Sequence, residues 1–168
     1  DIAADDPRRP AFDANRQAEI EAVKPVIERL KETGWTFGSH TWGHIRLDSR
    51  PLESVQRDTV RWAEEVGSLV GPTNILFYPH GGRPDGDDWH STGPVFQYLQ
   101  SQGFRIFASV GINSFSYIKK DISAVICDRL HPDGTTLRNG KALEWYSQFY
   151  DAREIIDLDV RPDLGVTW

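Results

Sequence analysis

Segments with strand character alternate with segments of helical periodicity along this chain, in units of about 30 residues. The helical segments, in which apolar residues recur three and four positions apart, are 15–33, 51–70 and 93–102. The strand-like segments, which are short and apolar, are 35–39, 74–78 and 104–110. This alternation predicts an α/β fold with a largely parallel sheet and helical crossovers, and leaves open whether the sheet is open or closed into a barrel.

The two ends of the chain carry weaker patterns. Residues 1–13 are predicted to form an irregular lead-in, and Pro25 is expected to kink the first helix or to separate two shorter ones. Further elements are predicted at 123–127, 142–150 and 155–158.

Composition limits the classes of protein to which the chain can belong. Its 168 residues fit one domain, and 39% apolar with 26% charged residues is an ordinary globular balance. The net charge of −6 argues against nucleic acid as the main partner, because there is no basic excess to neutralise phosphates. No apolar run approaches the ~20 residues that span a bilayer. Since the chain contains no Met, we expect Asp1 to be a processed or truncated start.

Residues 38–44, GSHTWGH, place His40 and His44 directly after a predicted strand with three residues between them. On one helical turn, two imidazoles at this spacing reach the same metal ion, and imidazole suits Zn, Co, Ni or Fe. The carboxyl ends of parallel strands are also where sites assemble in α/β folds. The alternative is a pair of histidines in a turn that holds no ion.

Residues 76–82, LFYPHGG, form a second polar turn after a predicted strand, so they should open onto the same edge of the sheet. Pro79 and two glycines expose main-chain N–H groups, which are able to stabilise an oxyanion. An ordinary strand-to-loop turn is the alternative interpretation.

Two later segments have the chemistry of a site but equally that of plain loops. Residues 85–90, DGDDWH, could coordinate a cation or form a solvated acidic loop. His131 lies between charged residues and before a turn, and is a candidate general acid or ligand. Trp42 and Trp89 lie in candidate site loops, where an aromatic face could stack on a sugar ring.

Two of these segments resemble motifs of a known family. Residues 38–44 resemble the H-[ST]-x-x-H motif of polysaccharide deacetylases, the NodB homology domain or carbohydrate esterase family four. Residues 77–81 resemble that family's next motif, F-x-Y-P-[aromatic]-G, in the right order and at the right separation. The resemblance is clearest over residues 18–107.

The resemblance implies a distorted (β/α) barrel that removes acetyl groups from an acetylated polysaccharide or oligosaccharide. It implies that His40 and His44 ligate one divalent metal, Zn in the first place with Co or Ni as alternatives, and that Thr41 braces the loop.

It also implies the remaining roles at the site. The main-chain N–H of His80 would help to hold the oxyanion, Tyr78 would line the groove, and His131 would protonate the leaving amine. The family's T-F-D-D motif, which supplies the base and a third ligand, is not found in the chain. We therefore expect it upstream of Asp1, with this chain as the incomplete C-terminal portion of a single catalytic domain.

Three hypotheses follow from the sequence. The first is a metal-dependent hydrolase that acts on a carbon–nitrogen amide bond, extracellular or in the cell envelope by its substrate class, with the missing N-terminal part of the same protein as partner. The second is a non-catalytic domain that binds glycan or cell wall through the same groove. The third is an α/β domain whose histidines are structural.

Overall fold

The computed structural model describes residues 3–86, 92–110, 117–120, 123–129, 144 and 147–148. The helices are α1 (Arg9–Glu32), α2 (Leu52–Trp62), α3 (Ser68–Val70) and α4 (Pro94–Ser101). The strands are β1 (Ile75–Phe77), β2 (Ile106–Val110), β3 (Tyr117–Lys119) and β4 (Ala124–Arg129). A π-helical turn, Ala63–Gly67, joins α2 to α3, and a 3-10 turn, Pro79–Gly81, follows β1.

The four strands form one sheet in the order β1-β2-β4-β3. β2 pairs in parallel with β1 and with β4, whereas β3 runs antiparallel to β4. Phe77 lies opposite Ala108, and Ala108 lies opposite Cys127, so the carboxyl ends of three strands meet at one edge. The mixed helix and sheet content confirms the α/β class. Within the described residues the parallel part comprises three strands, and no closed barrel is present.

One face of this sheet forms the hydrophobic core with α2 and α4. Successive side chains of a strand point to opposite faces, so Leu76, Phe107 and Ile126 enter the core together. Val55 of α2 and Phe96 and Leu99 of α4 pack on the same cluster, and are about 1% exposed. Burying each large apolar side chain stabilises the fold by roughly 1.5–3 kcal/mol, which is why these elements hold the sheet edge in place.

The first helix differs from the prediction at both of its doubtful points. It begins at Arg9, so the irregular lead-in is shorter than the predicted 1–13. Pro10 occupies the first turn, where its missing N–H costs no hydrogen bond, and Arg9 contacts Asp13 one turn later at 2.8 Å. The helix then continues through Pro25 as a single element, which excludes a division into two helices and leaves the kink as the remaining alternative.

The second helical segment is divided where one helix was predicted over 51–70. The π-helical turn at Ala63–Gly67 follows Trp62, whose side chain is buried. A Cβ on Gly67 would lie 3.2 Å from the indole of Trp62, so the ring packs against the backbone at the point where the helix widens. Pro51 precedes this helix as its N-cap residue instead of occupying its first turn.

The segment predicted as a strand over 35–39 contributes only Ser39 to the sheet. Ser39 pairs in parallel with Leu76. The Ser39 N–H donates to the carbonyl oxygen of Ile75 (2.9 Å), and the Phe77 N–H donates to the carbonyl oxygen of Ser39 (2.8 Å). Gly38 passes so close to β1 that a Cβ would lie 2.5 Å from the Phe77 ring. This pairing places the chain after Ser39 beside the carboxyl end of β1.

Candidate functional site

Three imidazoles converge at the carboxyl edge of the parallel strands. His40 follows the Ser39 pairing, His44 follows four residues later, and His80 lies in the turn after β1. The ring centroids of His40 and His44 are 4.9 Å apart, and those of His44 and His80 are 4.5 Å apart. The structure therefore brings the histidines of the two predicted segments into one cluster.

The ring of His40 is oriented by the backbone of β1. Its Nδ1 lies 2.6 Å from the carbonyl oxygen of Phe77, a contact in which the ring donates when Nδ1 carries the proton. This tautomer leaves Nε2 as the nitrogen with a free lone pair. A ring N–H held by a backbone carbonyl is the usual support of a metal-binding histidine.

The electrostatic surroundings keep His40 neutral. Burial lowers the pKa of His40, and the positive charge of Arg129 and the neighbouring His44 and His80 lower it further, against the opposing effect of the Phe77 carbonyl. Neutral imidazole is the form that binds metals and accepts protons.

The histidines do not share a helical turn, and the predicted local geometry is wrong. Residues 40–50 contain no helix, and both Thr41 (φ 60°) and His44 (φ 52°) have left-handed backbone. His80 is left-handed as well (φ 57°). Such conformations cost non-glycine residues roughly 1–3 kcal/mol each and gather at functional sites. The rings meet because the loop doubles back, and not because of the 3.6-residue period.

The carboxylate of Asp58 on α2 fixes this loop, a role that the sequence analysis did not predict. Asp58 accepts hydrogen bonds from the N–H groups of Trp42 (2.9 Å) and Gly43 (2.7 Å). Inside the loop, the hydroxyl of Thr41 accepts from the Ile45 N–H at 3.1 Å, which matches the bracing role expected of Thr41. Asp58 lies 16 positions after Trp42 on an otherwise ordinary helix, so no local spacing could have identified it.

The side chain of Trp42 points away from the histidines and packs toward the outer helices. Its indole N–H donates to Glu65 at 2.9 Å, and the guanidinium of Arg61 stacks 3.5 Å from the ring centroid. Burial would raise the pKa of Glu65, but the hydrogen bonds from Arg61 and Trp42 and the charge of Arg16 outweigh it and hold the pKa below its usual range. The ring remains 40% exposed and borders a cavity of about 290 Å³ between this loop and α1.

Tyr78 lies in the core instead of an open groove. Its side chain is 0% exposed and packs in the cluster formed by the sheet, α2 and α4. As the residue directly after β1, it shares the inward-facing side with Leu76, and this alternation takes its ring away from the histidines. We therefore correct its expected role from groove lining to core packing.

The remaining predicted residues lie outside the described part of the chain. These are Trp89 and His131, together with Asp87, Asp88 and His90 of the acidic loop. Asp85, the one carboxylate of that loop within the described residues, accepts hydrogen bonds from the N–H groups of Val95 (3.1 Å) and Phe96 (2.8 Å). Asp85 thereby caps the first turn of α4, which is a structural task.

The side chains of the cluster have the chemistry that a divalent metal requires, but the described residues do not provide a complete set of ligands. Imidazole nitrogens are good ligands for Zn, Co and Ni, and the supported ring of His40 beside His44 supplies two of them. Among the residues that the structure describes, no group of three or more side chains has the arrangement of a full metal site.

Comparison with protein families gives a match to polysaccharide deacetylases over residues 11–104, more than half of the chain. The chain belongs to the polysaccharide deacetylase family. The matched residues include His40, His44 and His80 as well as Asp58, and they end just before β2. Neither the curated proteins nor the solved structures gave a match. None of the helices in the described part of the chain has the length and apolar character needed to cross a bilayer.

Proposed function

We propose that this deacetylase-family chain forms part of a metal-dependent hydrolase that removes acetyl groups from a polysaccharide, with His40 and His44 as metal ligands. The observation that carries the proposal is the convergence of His40, His44 and His80 at the carboxyl edge of the sheet, inside the segment that matches the family. Family membership supports a deacetylase-type activity on an acetylated glycan. Metal dependence, the choice of Zn over Co or Ni, and activity of this chain are the finer parts of the proposal.

In this proposal each histidine has a separate task. The Phe77 carbonyl holds His40 so that its Nε2 would be available to a divalent metal, and His44 on the returning loop would supply a second ligand. When bound, a divalent cation supplies Lewis-acid polarisation of the amide carbonyl and of the attacking water. The main-chain N–H of His80 donates a hydrogen bond to the developing oxyanion, and His131 gives a proton to the leaving amine.

Aromatic side chains would bind the sugar rings. Trp42 is the described candidate, because its ring is partly exposed and borders a cavity. Trp89 is proposed for the same role from its place in the sequence. An acetylated cell-envelope or extracellular glycan is the substrate class, and the proposed location outside the cytoplasm follows from that class alone.

Metal binding by single-histidine variants tests this proposal. We expect the parent chain to bind Zn in an equilibrium titration with a chromophoric competitor. Both His40→Ala and His44→Ala should weaken binding by more than about 100-fold, since even residues outside the first ligand shell contribute about 10- to 100-fold. His90→Ala, which removes a histidine from the acidic loop, is the matched control and should leave the affinity unchanged.

Two outcomes would contradict the assignment. Equal Zn affinity in the parent chain and in both variants would mean that these histidines are structural. Loss of binding only in His90→Ala would move the metal to the acidic loop. An intact metal site without release of acetate from acetylated chitooligosaccharides or xylan would favour the non-catalytic glycan-binding alternative.

A further inference from the structure

A guanidinium lies next to the histidine cluster, and one of its donors has no acceptor among the residues that the structure describes. Arg129 is the last residue of β4, and its charge centre is 5.7 Å from the centroid of the Phe77 ring. Its Nε is buried, and no atom of the described residues accepts a hydrogen bond from it. A buried donor on a charged group is unfavourable without an acceptor, so this position is suited to a ligand that supplies one.

The strand register places Arg129 on the same side of the sheet as the site. Phe77 and Cys127 lie opposite each other across β2, so their side chains are on the same face of the sheet. Arg129 is two residues after Cys127, and since side chains alternate along a strand, the side chain of Arg129 is on this face as well. Phe77 is the residue whose carbonyl holds His40. The positive charge of Arg129 is also close enough to act on His40.

The carboxylates around this edge are already engaged elsewhere. Asp48, beside Gly82, is paired with Arg46 at 2.5 and 3.0 Å, and that pairing lowers the pKa of Asp48. Asp58 binds loop N–H groups and Asp85 caps α4. Asp128 precedes Arg129 and therefore points to the opposite face of β4. Among the described residues, the edge thus presents three imidazoles and the guanidinium of Arg129, while the nearby guanidinium of Arg46 is paired with Asp48.

We propose that Arg129 is the carboxylate-binding residue of this site, with its planar guanidinium facing the acid group of a bound ligand. Guanidinium binds carboxylates through two parallel N–H donors, and a partly buried setting strengthens such bonds. The inference rests on the proposed function for the source of the carboxylate. That source is either the acetate released by deacetylation or the acid group of a sugar in an acidic glycan.

The test uses two carboxylates and their neutral counterparts. The full chain is titrated, in the presence of a chelator, with sodium acetate, sodium glucuronate, acetamide and glucose, and NMR shifts of Phe77 and His40 are followed. We expect saturable binding of at least one carboxylate and none of the neutral compounds. Acetate as the tighter ligand would identify a product site, and glucuronate as the tighter ligand would identify recognition of an acidic sugar.

Variants assign the binding to one side chain. Arg129→Gln should weaken carboxylate binding by about tenfold or more, the loss expected for a charged hydrogen-bonding group. Arg129→Lys keeps the positive charge but lacks the two parallel N–H donors, so it should bind carboxylates with intermediate affinity. It also serves as a second variant in case the glutamine variant does not fold. Arg46→Gln removes another arginine near the same edge and should bind like the parent chain.

The proposal is overturned if neither carboxylate binds, if the neutral compounds bind equally well, or if Arg129→Gln and Arg129→Lys both retain the parent affinity. Because the titration is done without metal, it is independent of the Zn experiment. Loss of the metal site with retained carboxylate binding would remove the proposed function and leave the anion site. The reverse result would remove only the role of Arg129.

Discussion

At the scale of single residues, the reactivity of the Cys127 thiol measures how well the edge of the sheet is shielded from solvent. It is the one cysteine of the chain and lies on β4, two residues before Arg129. Burial raises the pKa of the Cys127 thiol, and the neighbouring charge of Asp128 raises it further. A raised pKa leaves less thiolate at neutral pH than an ordinary cysteine has, and thiolate is the reactive form.

Alkylation of Cys127 by iodoacetamide is therefore expected to be slower in the folded chain than in the urea-unfolded chain at pH 7.5, and to accelerate as the pH rises. The raised pKa also links protonation of the Cys127 thiol to stability. Because this pKa is higher in the folded chain than in the unfolded chain, the contribution of the thiol to the free energy of unfolding is complete below the unfolded pKa. It is lost as the pH rises through the folded pKa. Mass spectrometry of timed samples measures the rate, with Asp128→Asn as the variant that should react faster. Equal rates in the folded and unfolded chains would show that the thiol is not shielded.

The histidines show which features of the site could be predicted from the sequence and which could not. The spacing of His40 and His44 and their place after an apolar segment predicted that they would meet at the sheet edge, and they do. The predicted means, a helical turn, was wrong because left-handed backbone at Thr41 and His44 reverses the loop. Sequence periodicity carries no signal for such conformations in non-glycine residues.

At the scale of elements, a loop without regular structure depends on a helix for its shape. The segment from His40 to Ile45 is joined to α2 by the two N–H groups that Asp58 accepts. Arg61 and Glu65, farther along the same helical region, hold the Trp42 ring. The outer helix thus holds the histidine-bearing loop in position.

Asp58→Ala should lower the free energy of unfolding by about 1–2 kcal/mol, because two backbone donors lose a charged acceptor. Asp58→Asn keeps one acceptor oxygen and should cost less. Urea denaturation followed by circular dichroism gives the values, and Glu64→Ala, an exposed carboxylate in the next turns, is the control. If Asp58→Ala proves no more harmful than Glu64→Ala, the loop does not depend on this contact.

Elements with strong local signals were predicted well, and those that depend on packing were not. β1, β2 and α4 lie within the predicted segments, since apolar runs bounded by Gly and Pro define them locally. The π-helical turn after Trp62 follows from the fit of the indole against Gly67, a tertiary contact that no propensity contains. Likewise, the segment 35–39 has strand character, but only Ser39 finds a partner.

At the scale of the whole molecule, stability is concentrated in the sheet and its two covering helices. Phe107, Phe96 and Leu76 are almost fully buried at the centre of the core. α1 is different, because Ile27 is its one buried residue, while Phe12 and Val26 are 39% and 55% exposed. The α/β class was predictable from alternation alone, but this uneven distribution of packing was not.

Hydrogen exchange should follow this distribution. Amides in the first three turns of α1 are expected to exchange much faster than those of β2, because exposed helices with few buried contacts open locally. Ile27→Ala should accelerate exchange along α1 and leave β2 unchanged. Mass-spectrometric exchange at peptide resolution distinguishes these regions, and equal protection of α1 and β2 would refute the expectation.

The parallel pairing of β1 with β2 also sets the smallest piece that can be expressed. A recombinant chain trimmed to the family match at residue 104 would retain all three clustered histidines but lose β2 and β4. β1 would then present an unpaired edge, and Phe107 and Ile126 would be missing from the core. A boundary chosen from the family match would therefore yield insoluble protein, so cloning should extend past Arg129, where β4 ends.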